Sequence, residues 1–402
     1  MRILHTSDWH LGQNFMGKSR EEEHQAFFVW LLKQIQTKEI TLLIVAGDIF
    51  DTATPPNYAL EIYYNFLKEL SCIDGLTTII VAGNHDSVST LKTSQQLLKS
   101  LDIHVVTKGD DSENQLIPIY QDNNIQALVC VVPFLNDSLL RKSKSGEVVS
   151  EREKFTNLAI REYYESIFKN AQKLLNNKGV DGQNIPIIAT GHLTTVGART
   201  SESERDIYIG GTVDIGGDFL GKYFDYVALG HLHINQKVGC EHVCYCGSPI
   251  PLSFSEGKSI KKVNIVEFLA HKSIEVKTVD IPTYRPLLLL KGSLEKIIEE
   301  LKSIDNKETW IEVQLTNDNN PFSSNQTIRD LAKELDLTLL AVKINRSAKS
   351  LRAKDINVIS LDDLGVAEVF EKRLQVENLK SKSFEKELIK TFNVVLERVN
   401  SQ

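Results

Sequence analysis

The sequence predicts an α/β fold in which a mixed β-sandwich is flanked by helices, and three observations carry that expectation. Short β-branched runs alternate with helical periodicity from residue 1 to about 280. The later runs follow one another with few helices between them, which argues against a single parallel sheet. Five of the runs close on side chains able to bind a metal.

With 402 residues, 42% of them apolar and 25% charged, the chain has the length of two or three domains and a globular composition. A core of that size folds without disulfide or metal staples. Five cysteines, an odd number, argue against a disulfide framework and for a reducing compartment. No apolar targeting segment precedes the first polar cluster and no apolar run approaches membrane-spanning length, so a cytoplasmic protein without membrane attachment is expected. A net charge of −7 does not advertise nucleic-acid binding. Bound divalent cations would reverse the local sign, however, and whole-chain charge says little about one groove.

In chain order, "RILHTSDWH" reads as a strand closing on Asp8 and His10, and "EEEHQAFFVWLLKQIQ" (21–36) as an amphipathic helix. "LLIVAGD" is a strand ending in Asp48, and "TIIVAGNHD" one ending in Asn84, His85 and Asp86. The amphipathic stretches that follow these two, "PNYALEIYYNFLKEL" and "TLKTSQQLLKSL", suit packing against the sandwich. "RKSKSGEVVSEREK" (141–154) is mixed in charge and reads as a solvated loop. "IPIIATGH" ends in His192 and "YFDYVALGHLH" in His231 and His233. "IQALVCVVPF", "VNIVEFL" and "SIEVKTVDIP" are further strands.

Two prolines in "IPTYRP" (281–286) mark a linker. Beyond it "PLLLLKG", "SLEKIIEELKSI", "TWIEVQLT", "TIRDLAKEL" and "LTLLAVKINR" alternate strand and helix, a small α/β domain ending near Arg346. From Ser347 the chain turns polar and then offers two amphipathic segments, with Val366, Val369, Phe370 and Leu374 on one face and Phe384, Leu388, Phe392, Val395 and Val399 on another. The expected domains are therefore 1–280, 281–346 and 347–402.

Taken singly, an Asp after a Gly is a turn or helix-cap residue, and His24, His104, His242 and His271 read as hydrogen-bonded or surface histidines. Cys240, Cys244 and Cys246 match no common zinc spacing and read as buried thiols. Turn chemistry does not predict D-x-H, GD, GNHD, GH and GHxH in that order, each at the carboxyl end of a strand, where α/β folds gather their functional groups. Asp8, His10, Asp48, Asn84, His192, His231 and His233 give three oxygen donors and four imidazoles, too many for one tetrahedral zinc and suited to two ions. Such a mixed set favours manganese, iron or zinc over calcium.

The ordered words "DWH", "AGD", "GNHD", "TGH" and "GHLH" resemble the calcineurin-like metallophosphoesterase superfamily. The flanking "ILHTSDWHLGQ", "VAGDIFDTATPP" and "SESERDIYIGG" are similar to its bacterial DNA nuclease subunits. The resemblance implies a four-layer α/β/β/α sandwich with a small α/β capping domain and C-terminal helices. It implies two divalent ions, Mn2+ before Mg2+, one on Asp8, His10, Asp48 and His233 and the other on Asp48, Asn84, His192 and His231. His85 would protonate the leaving oxygen, with Asp86 orienting its ring. Asp51 stands where archaeal and eukaryotic relatives more often carry His. The resemblance further implies exonuclease and endonuclease activity on DNA ends and hairpins, a homodimer within a heterotetramer, and a coiled-coil ATPase partner held by the C-terminal helices. A phosphoesterase for small phosphate esters or nucleotides would share every ligand but would need neither the second domain nor a partner-binding tail.

Overall fold

Two six-stranded sheets, seen in a computed structural model, stack face to face. The residues described are 1–110, 115–140, 149–178, 185–204, 215–269, 273–316, 321–345 and 391–392. The first sheet runs Ile274–Asp280, Lys262–Phe268, Arg2–Thr6, Leu42–Ala46, Thr77–Val81, Ile103–Val106, with the last four parallel to one another. The second runs Gln236–Val238, Cys240–Tyr245, Tyr226–Gly230, Ile187–His192, Asn124–Cys130, Leu116–Gln121, with its four middle strands parallel. Leu42–Ala46, Thr77–Val81, Ile187–His192 and Tyr226–Gly230 are buried at every residue, as parallel strands covered on both faces must be.

Side-chain alternation assigns the layers. Leu42, Ile44, Ile79 and Val81 point between the sheets, where they meet Val129, Ile188, Tyr226 and Ala228. Leu43, Val45 and Ile80 point outward, onto Phe27, Phe28 and Leu31 of the helix Glu21–Thr37 and onto Ile62, Tyr63 and Phe66 of the helix Asn57–Ser71. Glu21, Glu22 and Glu23 in the first turn of the former complement its dipole. Leu128, Ala189, Val227 and Leu229 cover the other outer face with Ile160, Tyr164, Ala171 and Leu175 of the helix Val149–Asn177. The result is the expected four-layer α/β/β/α sandwich.

That last helix corrects the sequence reading, because residues 149–154, expected in a solvated loop, belong to it. Its buried residues Thr156, Ile160, Tyr164, Ile167, Ala171 and Leu175 recur every three or four positions. The charged start of the stretch masks this period. "TLKTSQQLLKSL" likewise becomes two short helices, Val88–Lys92 and Gln95–Lys99.

Residues 287–345 form three parallel strands, Leu287–Gly292, Trp310–Thr316 and Thr338–Asn345. The helices Leu294–Lys302 and Pro321–Glu334 lie over a core of Ile297, Leu301, Ile311, Val313, Leu315 and Ile328. Phe15, Phe254, Leu287 and Trp310 make one buried cluster joining this sheet to the sandwich, and the Arg20 and Arg285 guanidinium groups lie 5.4 and 5.0 Å from the Trp310 ring. The chain divides into two compact units, Met1–Asn345 and Arg346–Gln402. Apart from Thr391 and Phe392, the two C-terminal amphipathic segments lie outside the described residues. No helix among the described residues is long and apolar enough to cross a membrane.

Candidate metal centre

The carboxyl ends of parallel strands from both sheets meet at one edge of the sandwich, so residues far apart in sequence become neighbours. Three groups of candidate ligands form there, Asp8 with His10 and His233, Asp48 with His192 and His231, and His10 with Asp51 and His85. Asn84 joins the second group, its Oδ1 lying 2.9 Å from His192 Nε2.

The backbone is bent to achieve this. Asp8, His10, Asp48 and His231 have φ of 53°, 48°, 49° and 96°, in the left-handed region that non-glycine residues avoid. Such strain, about 1–3 kcal/mol per residue, persists only where the surroundings over-determine it. The GD and GH loops are pressed together closely enough that a Cβ on Gly47 would collide with the His192 ring, and one on Gly230 with the Ala46 carbonyl oxygen. Glycine precedes these ligands because there is no room for a side chain.

Three of the four imidazoles, those of His192, His10 and His233, are oriented by a partner on the other nitrogen, the usual arrangement for a metal-binding histidine. His192 Nδ1 donates to the Ala46 carbonyl at 3.0 Å, which leaves Nε2 facing Asp48 Oδ2 at 3.3 Å. His10 Nδ1 meets Asp51 Oδ1 at 3.1 Å, while its Nε2 is buried without a hydrogen-bond partner and faces Asp48 Oδ2 at 3.7 Å. His233 Nδ1 meets Ser203 Oγ at 2.5 Å, and that hydroxyl donates in turn to Glu256. Asp8 accepts from Ser7 Oγ and from the His231 amide. An orphaned ring nitrogen turned toward a buried carboxylate, within an Asp/Asn/His donor set, fits divalent cations between these groups.

The electrostatics without cations point the same way. Burial pushes the Asp48 carboxyl up, but the His192 charge and hydrogen bond, with His10 and His85, outweigh burial and hold it well below the usual carboxylate range. Burial lowers His192, yet Asp48 and Asp8 raise it to about 9. Burial, reinforced by His192, drives His231 down to about 3. The site thus retains a proton where it can take positive charge.

His85 stands beside His10, ring centroids 4.9 Å apart, with Nδ1 donating to the Asp51 carbonyl at 2.7 Å and its amide donating to Asp48 Oδ1. Asp86 departs from its expected task. Its two oxygens accept from the amides of Ile49, Phe50 and Gly83, so it ties the Asp48 loop to the Asn84 loop, while the His85 ring takes its orientation from the Asp51 backbone. Asp51, Ser203, Glu204 and Glu256 were missed as supporting residues. Only the "SESE" word hinted at two of them; Glu204 accepts from the Ser201 and His233 amides. His24 and His242 are hydrogen-bonded to the Trp9 and Gly221 carbonyls and His104 to Asp102, and none of the three belongs to a metal-capable group among the described residues, while His271 lies outside them. Burial raises Cys244 to about 12 and Cys246 further, and no cysteine belongs to a metal-capable group among the described residues.

Sandwich and site together define a class, the calcineurin-like phosphoesterases, whose family model matches residues 1–235. A second model, described as the type 5 capsule protein repressor C-terminal domain, matches residues 283–378. The SbcD subunit of the SbcCD nuclease of Escherichia coli (strain K12) is 41% identical over 387 residues, covering 94% of each chain. The corresponding SbcCD nuclease subunit of Rhodobacter capsulatus is 34% identical over 64% of each chain, and that of Bacillus subtilis is 28% identical over 78% of this chain and 79% of its own. On that identity and coverage, the chain belongs to the SbcD family of nuclease subunits within the metallophosphoesterases. That class of enzyme works with divalent metal ions, and the Asp and His groups at the strand ends supply suitable donors.

Proposed function

We propose that this chain is the nuclease subunit of an SbcCD-type complex, hydrolysing phosphodiester bonds at double-stranded DNA ends and in single-stranded or hairpin DNA. The observation that carries the reading is the convergence of Asp8, His10 and His233 with Asp48, His192 and His231 at one sheet edge, with His85 beside them. Asp8, His10, Asp48 and His233 would hold one ion, and Asp48, Asn84, His192 and His231 the other, with Asp48 shared. The mixed Asp, Asn and His donor set suits manganese, iron or zinc over calcium without choosing among them, and the family resemblance points to Mn2+, with Mg2+ as the alternative. Divalent ions bound there lower the pKa of water toward neutrality and offset the charge of the phosphate.

The chain's own residues supply the rest. His85, its Nδ1 committed to the Asp51 carbonyl, presents Nε2 to the substrate and protonates the 3′-oxygen that leaves phosphorus. Asp86 keeps the Asp48 and Asn84 loops in register. Domains at 1–280, 281–346 and 347–402 fit this role as nuclease core, cap and partner-binding tail. The tail would dock on SbcC, in a heterotetramer built on a homodimer of this chain.

Cleavage of an end-labelled duplex beside a generic phosphodiester, with Mn2+ or Mg2+ and with or without SbcC, tests the reading. Mn2+-dependent cutting of the duplex, stimulated by SbcC and ATP, is expected. Turnover of the generic ester alone would overturn it in favour of a small-ester phosphoesterase.

A further inference from the structure

Between the strained residues Asp8 and His10 lies Trp9, fully buried, and its surroundings involve a histidine with no part in the mechanism above. The Trp9 indole packs edge-on against Phe27, Phe28 and Phe66, and its Nε1 donates to Thr6 Oγ1 at 3.0 Å. On one side the loop is stitched to the GD loop, with the amides of Asp8, His10 and Leu11 donating to the carbonyls of Gly47, Asp48 and Ile49. The Trp9 carbonyl is turned to His24 Nε2, 2.9 Å away in the first turn of the helix Glu21–Thr37.

We propose that His24 is a positioning residue for the metal centre, its Nε2–H fixing the Trp9 carbonyl and so the backbone that aims Asp8 and His10 at one ion. The inference rests on the assignment of Asp8 and His10 as ligands of that ion. Two left-handed residues flanking Trp9 leave the loop few ways to project both side chains to the same side, and rotation of the Trp9–His10 peptide would turn His10 away from Asp8. His24 is fully buried, and burial, with the Arg20 charge, lowers its pKa to about 3, so the ring is a neutral single donor. Its Nδ1 has no hydrogen-bond partner, so its polar contact is spent on the Trp9 carbonyl. A buried carbonyl deprived of its donor is costly, and the loop would rearrange to recover one.

The test is a Mn2+ titration of the full-length protein resolving two sites, run on His24→Leu, His24→Gln and, as reference, His10→Ala. Loss of an outer-shell partner typically weakens metal binding about 10–100-fold, so His24→Leu is expected to weaken one site by that factor and leave the other near wild type. The amide of His24→Gln can donate to the same carbonyl and should restore most of the affinity, a rescue that general destabilisation does not predict. If His24→Leu fails to fold, His24→Asn, whose amide is too short to reach, is read in the same way. Wild-type affinity at both sites in the Leu or Asn variant, or a Gln variant no better than they are, overturns the proposal. If His10→Ala keeps both sites, the ligand assignment falls and the proposal falls with it.

Discussion

Glu256 is a carboxylate 3% exposed, and its removal separates what the supporting shell does for stability from what it does for the site. It pairs with Lys261 Nζ at 2.5 Å, accepts from Ser201, Ser253 and the Leu252 amide, and lies 3.8 Å from His233 Nδ1. Glu256→Gln keeps the shape and deletes the charge. Breaking a buried pair by neutralising one partner costs about 3–5 kcal/mol. The lower figure applies because Lys261 keeps Ser248 Oγ and the His233 carbonyl as acceptors. For a chain of this size, about 3 kcal/mol lowers Tm by roughly 3–4 °C. Burial raises the Glu256 pKa, but the nearby His233 imidazole and the Lys261 charge outweigh it and depress the group below its ordinary 4.5. A depressed carboxyl contributes stability that is complete above its unfolded pKa and is lost as pH falls. The stability gap between wild type and Glu256→Gln, measured in chelator by denaturant unfolding, should therefore be full at pH 6–8 and shrink below about 4.5 at roughly 1.4 kcal/mol per pH unit. The variant should also bind Mn2+ about 10–100-fold more weakly at one site, through the loosened His233. A gap that stays constant on acidification, or no gap at neutral pH, would refute the reasoning.

Asp48→Asn should lose both ions and His231→Ala only one, because the Asp48 carboxylate faces both His10 and His192; metal analysis of the purified variants checks this, and two full-occupancy ions in Asp48→Asn would sink the bridging assignment. His85→Gln should keep its metal content while turnover falls about 10²–10⁴-fold, the usual share of general acid catalysis; metal lost in step with activity would make His85 a ligand instead. Truncation after Asp363 should leave Mn2+-dependent cutting of simple DNA intact and abolish co-purification with SbcC, and a truncated chain that binds SbcC at full affinity contradicts the role given to the tail.

The fold and the metal-capable residues were legible because both are written locally. A strand buried on both faces is a continuous apolar run, and a ligand at its end follows within two or three residues, as in "LLIVAGD". The supporting shell was not legible, because its contacts span the chain. Asp51 reaches His10 across 41 positions, Ser203 reaches His233 across 30, and Glu256 meets Ser203 across 53. Nothing in "FDTAT" or "SFSEG" distinguishes these residues from turn or cap residues. Asp86 was misjudged for a related reason: adjacency to His85 suggested a partner, whereas the turn directs its oxygens to backbone amides on another loop. The helix Val149–Asn177 was overlooked at its charged start, which precedes the buried stripe Thr156, Ile160, Tyr164, Ile167, Ala171 and Leu175.

Anomalous diffraction from crystals grown with Mn2+ tests the central claim most directly. The account predicts two peaks about 3.5–4 Å apart, one in contact with Asp8, His10 and His233, the other with Asn84, His192 and His231, and both touching Asp48. A single peak, or two peaks of which either lies out of reach of Asp48, would contradict it.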